Sequence, residues 1–166
     1  MSGTITWMAR ISTGRGQCGG ALITKQYVLT AAHCLVHKPN KNKNEEKPRD
    51  AKDFTVFLGD WNKKDKRPHE IKSKVNLVIP HENFAEYYNN HPEPKKHSGF
   101  DDIGLLRLKK WIQPNKFITP LTPGVCFTKV QPPDGTNVFI TGWGRQEHPV
   151  NTGNPLITSS DGSEAG

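Results

Sequence analysis

Cys18-Gly-Gly-Ala-Leu-Ile-Thr-Lys-Gln-Tyr-Val-Leu-Thr-Ala-Ala-His-Cys34 is the stretch that decides how this chain is read. Two short apolar runs, Ala21–Ile23 and Tyr27–Thr30, flank a polar Thr24-Lys25-Gln26 segment, and that pattern predicts a β-hairpin. Ala31, Ala32, His33 and Cys34 follow the second run without a break. A histidine at a strand end, between small alanines and a cysteine, is expected to be held in a defined place.

Working outward, residues 4–11 suit a strand that leads through Ser12-Thr13-Gly14-Arg15-Gly16 into the hairpin. Phe54-Thr55-Val56-Phe57-Leu58 alternates as a strand should and stops at Gly59-Asp60, and Glu70–Ile79 gives another strand. Phe100-Asp101-Asp102 then runs straight into the apolar Ile103-Gly104-Leu105-Leu106-Arg107-Leu108. A carboxylate placed just before a continuous apolar strand is drawn toward the interior, where it needs a hydrogen-bonding partner, and a histidine is a natural one. Successive strand residues point to opposite faces, so only one of Asp101 and Asp102 is expected to face inward. The chain of 166 residues is long enough for one sizeable core, and a hydrophobic fraction of 33% with 15 Gly and 13 Pro favours short strands and turns over a helical bundle.

The formal net charge of +7 suggests an anionic partner or, more plainly, lysine-rich loops on a soluble surface. The charge runs are interrupted and no nucleic-acid motif is present, so nucleic acid is not expected as a partner. The three cysteines, Cys18, Cys34 and Cys126, leave one thiol without an internal partner, and no Cys/His spacing points to zinc. The opening Met-Ser-Gly-Thr-Ile-Thr-Trp-Met-Ala-Arg is not patterned as a signal peptide, and no run approaches the length of a membrane span.

The Cys18–Cys34 stretch, Asp102-Ile103-Gly104-Leu105-Leu106 and Val138-Phe139-Ile140-Thr141-Gly142-Trp143-Gly144 resemble, in order, three motifs of the trypsin-like (chymotrypsin-family) serine endopeptidases. The resemblance implies an all-β, trypsin-like double β-barrel, the first barrel nearly complete over 4–110, an inter-barrel linker over 111–134, and the start of a truncated second barrel over 135–166. It implies that His33 is the catalytic base and Asp102 its orienter, because the motif's aspartate directly precedes the isoleucine. Gly104 stands where the motif usually has alanine. If Cys18 pairs with Cys34, as in the family, the bond closes a loop of about 15 residues, roughly 3 kcal/mol on a chain-entropy estimate; two buried free thiols are the alternative. Cys126 falls where many members pair with a segment outside the catalytic core.

The same resemblance places the lysine-rich residues 37–52 and the stretch Tyr87–Gly99 on the two rims of a substrate cleft, the first of them able to hold an anionic partner. Trp61–Arg67 sits where some members bind calcium, but Lys63, Lys64, Lys66 and Arg67 oppose a cation. No cofactor and no metal are therefore expected; the partner is a protein or peptide substrate, and the setting is secreted.

The family's serine lies in a Gly-Asp-Ser-Gly-Gly-Pro motif beside the backbone N–H groups that stabilise the oxyanion. No such motif occurs here; the nearest text, Ser160-Asp161-Gly162-Ser163-Glu164, has Gly162 before the serine and an acidic Glu164 after it. Ser163 is not expected to be a nucleophile. The chain also starts beyond the family's Ile-Val-Gly-Gly activation sequence. The expectation is an incomplete peptidase domain, inactive as written, with a non-catalytic homologue that binds through its basic loops as the rival reading.

Overall fold

The computed structural model describes residues 5–37, 47–60, 69–84, 101–121, 133, 135–136 and 141–142. In chain order its strands are β1 (Met8–Ser12), β2 (Gln17–Leu22), β3 (Tyr27–Thr30), β4 (Val36–His37), β5 (Lys47–Pro48), β6 (Thr55–Leu58), β7 (Ile71–Pro80) and β8 (Gly104–Leu108). The Cys18–Cys34 stretch forms the predicted hairpin, with Ala21 opposite Leu29 and Leu22 opposite Val28. Its turn is fastened by Thr24, whose Oγ1 accepts the backbone N–H of Gln26 at 3.2 Å and of Tyr27 at 3.0 Å, the local bonding that suits threonine to turns.

Six strands close into an antiparallel barrel in the order β1-β2-β3-β8-β7-β6, and β6 returns to β1 with Ala9 opposite Leu58 and Ser12 opposite Thr55. Closure leaves no sheet edge exposed. Side chains alternate across the wall: Ala9, Ile11, Leu22, Val28, Val56, Leu58, Val75, Leu106 and Leu108 point inward and are buried, which is what the period-2 pattern of each strand dictates. Each fully buried Leu, Ile or Phe contributes about 1.5–3 kcal/mol. Along the long β7, the register against β8 shifts between Val75 and Leu77, an irregularity of the kind that bends a strand to follow a barrel. β4 and β5 form a separate two-stranded ribbon.

The sequence-predicted strands sit within a few residues of the observed ones. The first begins at Met8; just before it, the Trp7 carbonyl accepts the N–H of Leu22 in β2 at 2.8 Å and the Thr6 carbonyl accepts Thr119 N–H at 3.1 Å. The stretch after β8, read as a linker from residue 111, is packed on the barrel in its first part. Ile112 and Ile118 are buried in the core, and the backbone N–H groups of Ile112 and Leu121 reach the carbonyls of Lys25 and Leu22, both at 2.8 Å. Outside the described residues lie 38–46 of the lysine-rich loop, Trp61–Arg67, Tyr87–Gly99, Cys126, Val138–Ile140, Trp143 and Ser163.

The glycine that replaces alanine before the second motif's leucines has a structural reason. A Cβ on Gly104 would lie 2.5 Å from Leu35 Cδ1 and 2.9 Å from the Ile79 carbonyl oxygen. Leu35 is fully buried in the barrel core, so the space an alanine methyl would use is already filled. Gly104→Ala is expected to destabilise the folded chain by about 1–3 kcal/mol through overpacking. Leu35→Val should recover part of this and not all, because the Ile79 carbonyl remains. A urea-denaturation double-mutant cycle should return a coupling of at least ~0.5 kcal/mol; additive effects would show that the two residues do not compete for one space.

Candidate active site

His33 and Asp102 are 69 residues apart, and strand register brings them together. Thr30, the last residue of β3, stands opposite Gly104, the first of β8. Three residues past Thr30, within a 3-10 turn at Ala32–Cys34, comes His33, and two residues before Gly104 comes Asp102. The turn is pinned from several sides. Leu35 N–H donates to the Ala32 carbonyl at 2.8 Å, and Thr30 Oγ1 donates to the Gly19 carbonyl at 2.8 Å. Ala32 is buried in a small apolar cluster with Val36 and Phe84. The Cys18–Cys34 disulfide then ties the turn to β2 across a Cα–Cα distance of 6.4 Å.

Both oxygens of the Asp102 carboxylate are engaged by one residue. Oδ1 accepts the backbone N–H of His33 at 2.8 Å, and Oδ2 lies 2.7 Å from His33 Nδ1. Burial pushes the Asp102 carboxyl up, but the hydrogen bonds from the His33 ring and backbone, the charge of His33 and the backbone N–H of Ala32 outweigh it and hold the group below the ordinary carboxylate value. An ionised carboxylate only accepts hydrogen bonds, so the proton between the two groups belongs on Nδ1, and in a neutral ring of that tautomer the lone pair is on Nε2. The arrangement therefore fixes the orientation of the His33 imidazole.

Of the two aspartates it is Asp102 that contacts His33, and neither aspartate lies within a strand. Asp101 has a left-handed backbone (φ 57°), a conformation that aspartate tolerates better than most residues. Its carbonyl accepts Ile103 N–H at 2.7 Å, and its carboxylate lies 3.9 Å from His81 Nδ1. The two consecutive carboxylates thus diverge toward different histidines. The pair is also more open than an interior carboxylate would be: the His33 side chain is 63% exposed and that of Asp102 is 24% exposed, because Asp102 precedes β8 and stays outside the barrel wall.

A depression of about 150 Å³ opens beside His33, lined by the disulfide, the Thr13–Gly16 turn, Gln17 and Arg49. Arg15 and Arg49 are the residues that the sequence reading does not single out. Gly-Arg-Gly between two predicted strands is the one signal that would have placed Arg15 at a loop tip; nothing local places Arg49 there. Ligand atoms of Cys18, His33 and Cys34 lie within 4.8 Å of one another, yet both sulfurs are joined in the disulfide, which leaves His33 alone as a donor for any metal.

The family model described as Trypsin matches residues 1–160. Mannan-binding lectin serine protease 1 of Rattus norvegicus is 31% identical over 150 residues, covering 87% of this chain and 19% of that protein. Coagulation factor IX of Oryctolagus cuniculus is 30% identical over 135 residues, covering 77% of this chain and 39% of that protein. Neuropsin, a serine protease expressed in the limbic system of mouse brain, aligns with a TM-score of 0.48 at 29% identity over 70% of this chain and 42% of that one. This chain thus spans well under half the length of these relatives. With the family match running across residues 1–160 and a closed antiparallel barrel that carries the first two motifs in order, the chain belongs to the trypsin-like (chymotrypsin-family) serine proteases.

Proposed function

We propose that this chain carries the base and orienter of a serine-type endopeptidase, His33 as general base and Asp102 as the carboxylate that fixes its tautomer. The observation that carries the reading is the double engagement of Asp102 by His33, at 2.8 Å to the backbone and 2.7 Å to the ring. In the reaction so assigned, His33 Nε2 takes the proton of a serine hydroxyl as it attacks the peptide carbonyl and later returns it to the leaving amine, while Asp102 stabilises the imidazolium. The substrate class is a protein or peptide. The Cys18–Cys34 disulfide favours an oxidising, extracellular setting. Among the described residues, no helix is long and apolar enough to cross a membrane.

The nucleophile and oxyanion donors are the part of this device that the 166 residues do not spell out, since no Gly-Asp-Ser-Gly-Gly-Pro segment is among them. We infer that this polypeptide by itself does not turn over peptides. Loss of a serine nucleophile alone costs on the order of 10⁶-fold in kcat. The rival reading is a non-catalytic homologue that uses the scaffold for binding, and a substituted serine within an intact second barrel is what would support it.

Two measurements test this. Purified chain treated with a serine-directed fluorophosphonate should show no labelled serine by peptide mass spectrometry; labelling at Ser163 or any other serine would overturn the inferred inactivity. ¹⁵N shifts of the His33 ring should report a proton on Nδ1 in the neutral form, and Asp102→Asn should raise the Nε2–H population; an unchanged tautomer would remove Asp102 as orienter. The pH dependence has a definite sign. The Asp102 carboxyl is held lower in the folded chain than an ordinary aspartate. Its stabilisation is therefore present above the unfolded value, about pH 4, and fades as pH falls through the lower folded value. The urea midpoint of the native chain minus that of Asp102→Asn should accordingly be larger at neutral pH than at pH 3.

A further inference from the structure

The depression beside His33 contains chemistry that the base and its orienter leave unused. Its two cationic side chains come from separate elements. Arg15 stands in the turn between β1 and β2, where Gly14 takes a φ of 75° and Thr13 donates both its backbone N–H and its hydroxyl to the Gly16 carbonyl, at 3.0 and 3.2 Å. That turn is braced, and Arg15 is exposed at it with no ion-pair partner among the described residues. Arg49 follows β5 and is fastened to the chain after the 3-10 turn: its backbone N–H donates to the Leu35 carbonyl at 2.8 Å and its Nε to the Val36 carbonyl at 2.9 Å. Those bonds use the inner edge of the guanidinium fork, and among the described residues its terminal Nη groups have no recorded acceptor. Among the described residues no carboxylate lines the depression.

We propose that this depression binds the side-chain carboxylate of a glutamate or aspartate in a peptide lying across His33, and that Arg15 and Arg49 thereby give the chain a preference for acidic sequence beside the bond offered to the base. The choice of a peptide rests on the proposed endopeptidase reading; the anion binding itself does not. Size and charge favour this occupant over a sulfated polysaccharide. A volume of about 150 Å³ is small beside the ~300–1,000 Å³ of a drug-sized pocket and suits one side chain, whereas a polyanion is held by a row of cations that each displace a counterion. The walls are preset by the braced turn, the disulfide and the doubly anchored Arg49, so little ordering cost opposes a single charge-assisted hydrogen-bonding contact.

The test is an NMR titration of the full chain with two end-capped pentapeptides that differ only by Glu against Gln at the central position. The amide signals of Gln17, Cys18 and His33 should move with the Glu peptide at roughly ten-fold lower concentration than with the Gln peptide, and the difference should shrink as salt is raised. Arg15→Gln should abolish most of the preference without lowering the thermal midpoint, since Arg15 is exposed and makes no ion pair among the described residues. Arg49→Gln should do the same, with its midpoint recorded because Arg49 also fastens the backbone. Equal binding of the two peptides, or an unchanged Glu preference in Arg15→Gln, overturns the proposal. So does a heparin hexasaccharide that shifts the same signals while the Glu peptide does not. The ring ¹⁵N shifts of His33 separate the two readings: Glu-peptide binding with the wrong ring tautomer sinks the base assignment alone, and the right tautomer without Glu preference sinks this inference alone.

Discussion

The register of β3 against β8 is the constraint on which the rest depends. Thr30 faces Gly104, Val28 faces Leu106 and Tyr27 faces Arg107. A slip of one residue would turn Val28, Leu106 and Leu108 out of the core and carry Asp102 away from His33. Magnitudes decide which of these holds the register. A solvent-facing ion pair is typically worth about 0–1 kcal/mol, and the His33 side chain is 63% exposed. A single buried leucine contributes about 1.5–3 kcal/mol, and several line these strands. The core therefore sets the register, and the His33–Asp102 contact is its consequence.

The residues around that contact serve the same geometry. The disulfide fastens the 3-10 turn to β2, Ala32 seats its far side against Val36 and Phe84, and the absent side chain at Gly104 leaves room for Leu35 directly behind the turn. A second ion pair, Arg10 with the buried Asp60, closes the β1–β6 side, with Arg10 also over the Phe57 ring at 4.0 Å. Buried pairs of this kind are costly to break by removing one partner, so this wall has a polar lock in addition to its apolar one.

Much of this was legible in the sequence, and for a common reason. The strands of the barrel and the hairpin at Cys18–Cys34 follow from alternation and turn residues, which are local properties. His33 and Asp102 stand out in the sequence because each borders an apolar run and matches a motif of the family; that the two meet in space depends on the β3–β8 register. The features that escaped are contacts between distant segments. Arg15 and Arg49 share one depression only because a turn between two strands and a residue after a short ribbon meet beside the disulfide. Ile112 and Ile118 belong to the core although a proline-rich stretch reads as a connection. Strand alternation is expected to turn one of Asp101 and Asp102 inward; instead a left-handed Asp101 separates the two carboxylates, and Asp102 stays outside the barrel wall.

That both bonds to Asp102 come from the same residue has a mechanical consequence for a base. The bond from the His33 backbone at 2.8 Å holds the carboxylate even when the ring turns away, and the bond from Nδ1 at 2.7 Å then gives the ring one preferred place to return. The carboxylate is a fixed reference and the imidazole the moving part, which is the division of labour that shuttling a proton between two oxygen or nitrogen atoms requires. Every group in that arrangement lies between Cys18 and Gly104, on or beside a barrel that closes on itself. On the proposed reading, the orientation of the base is thus complete within this barrel and owes nothing to the serine. A nucleophile brought alongside would find the ring already aimed by contacts made elsewhere.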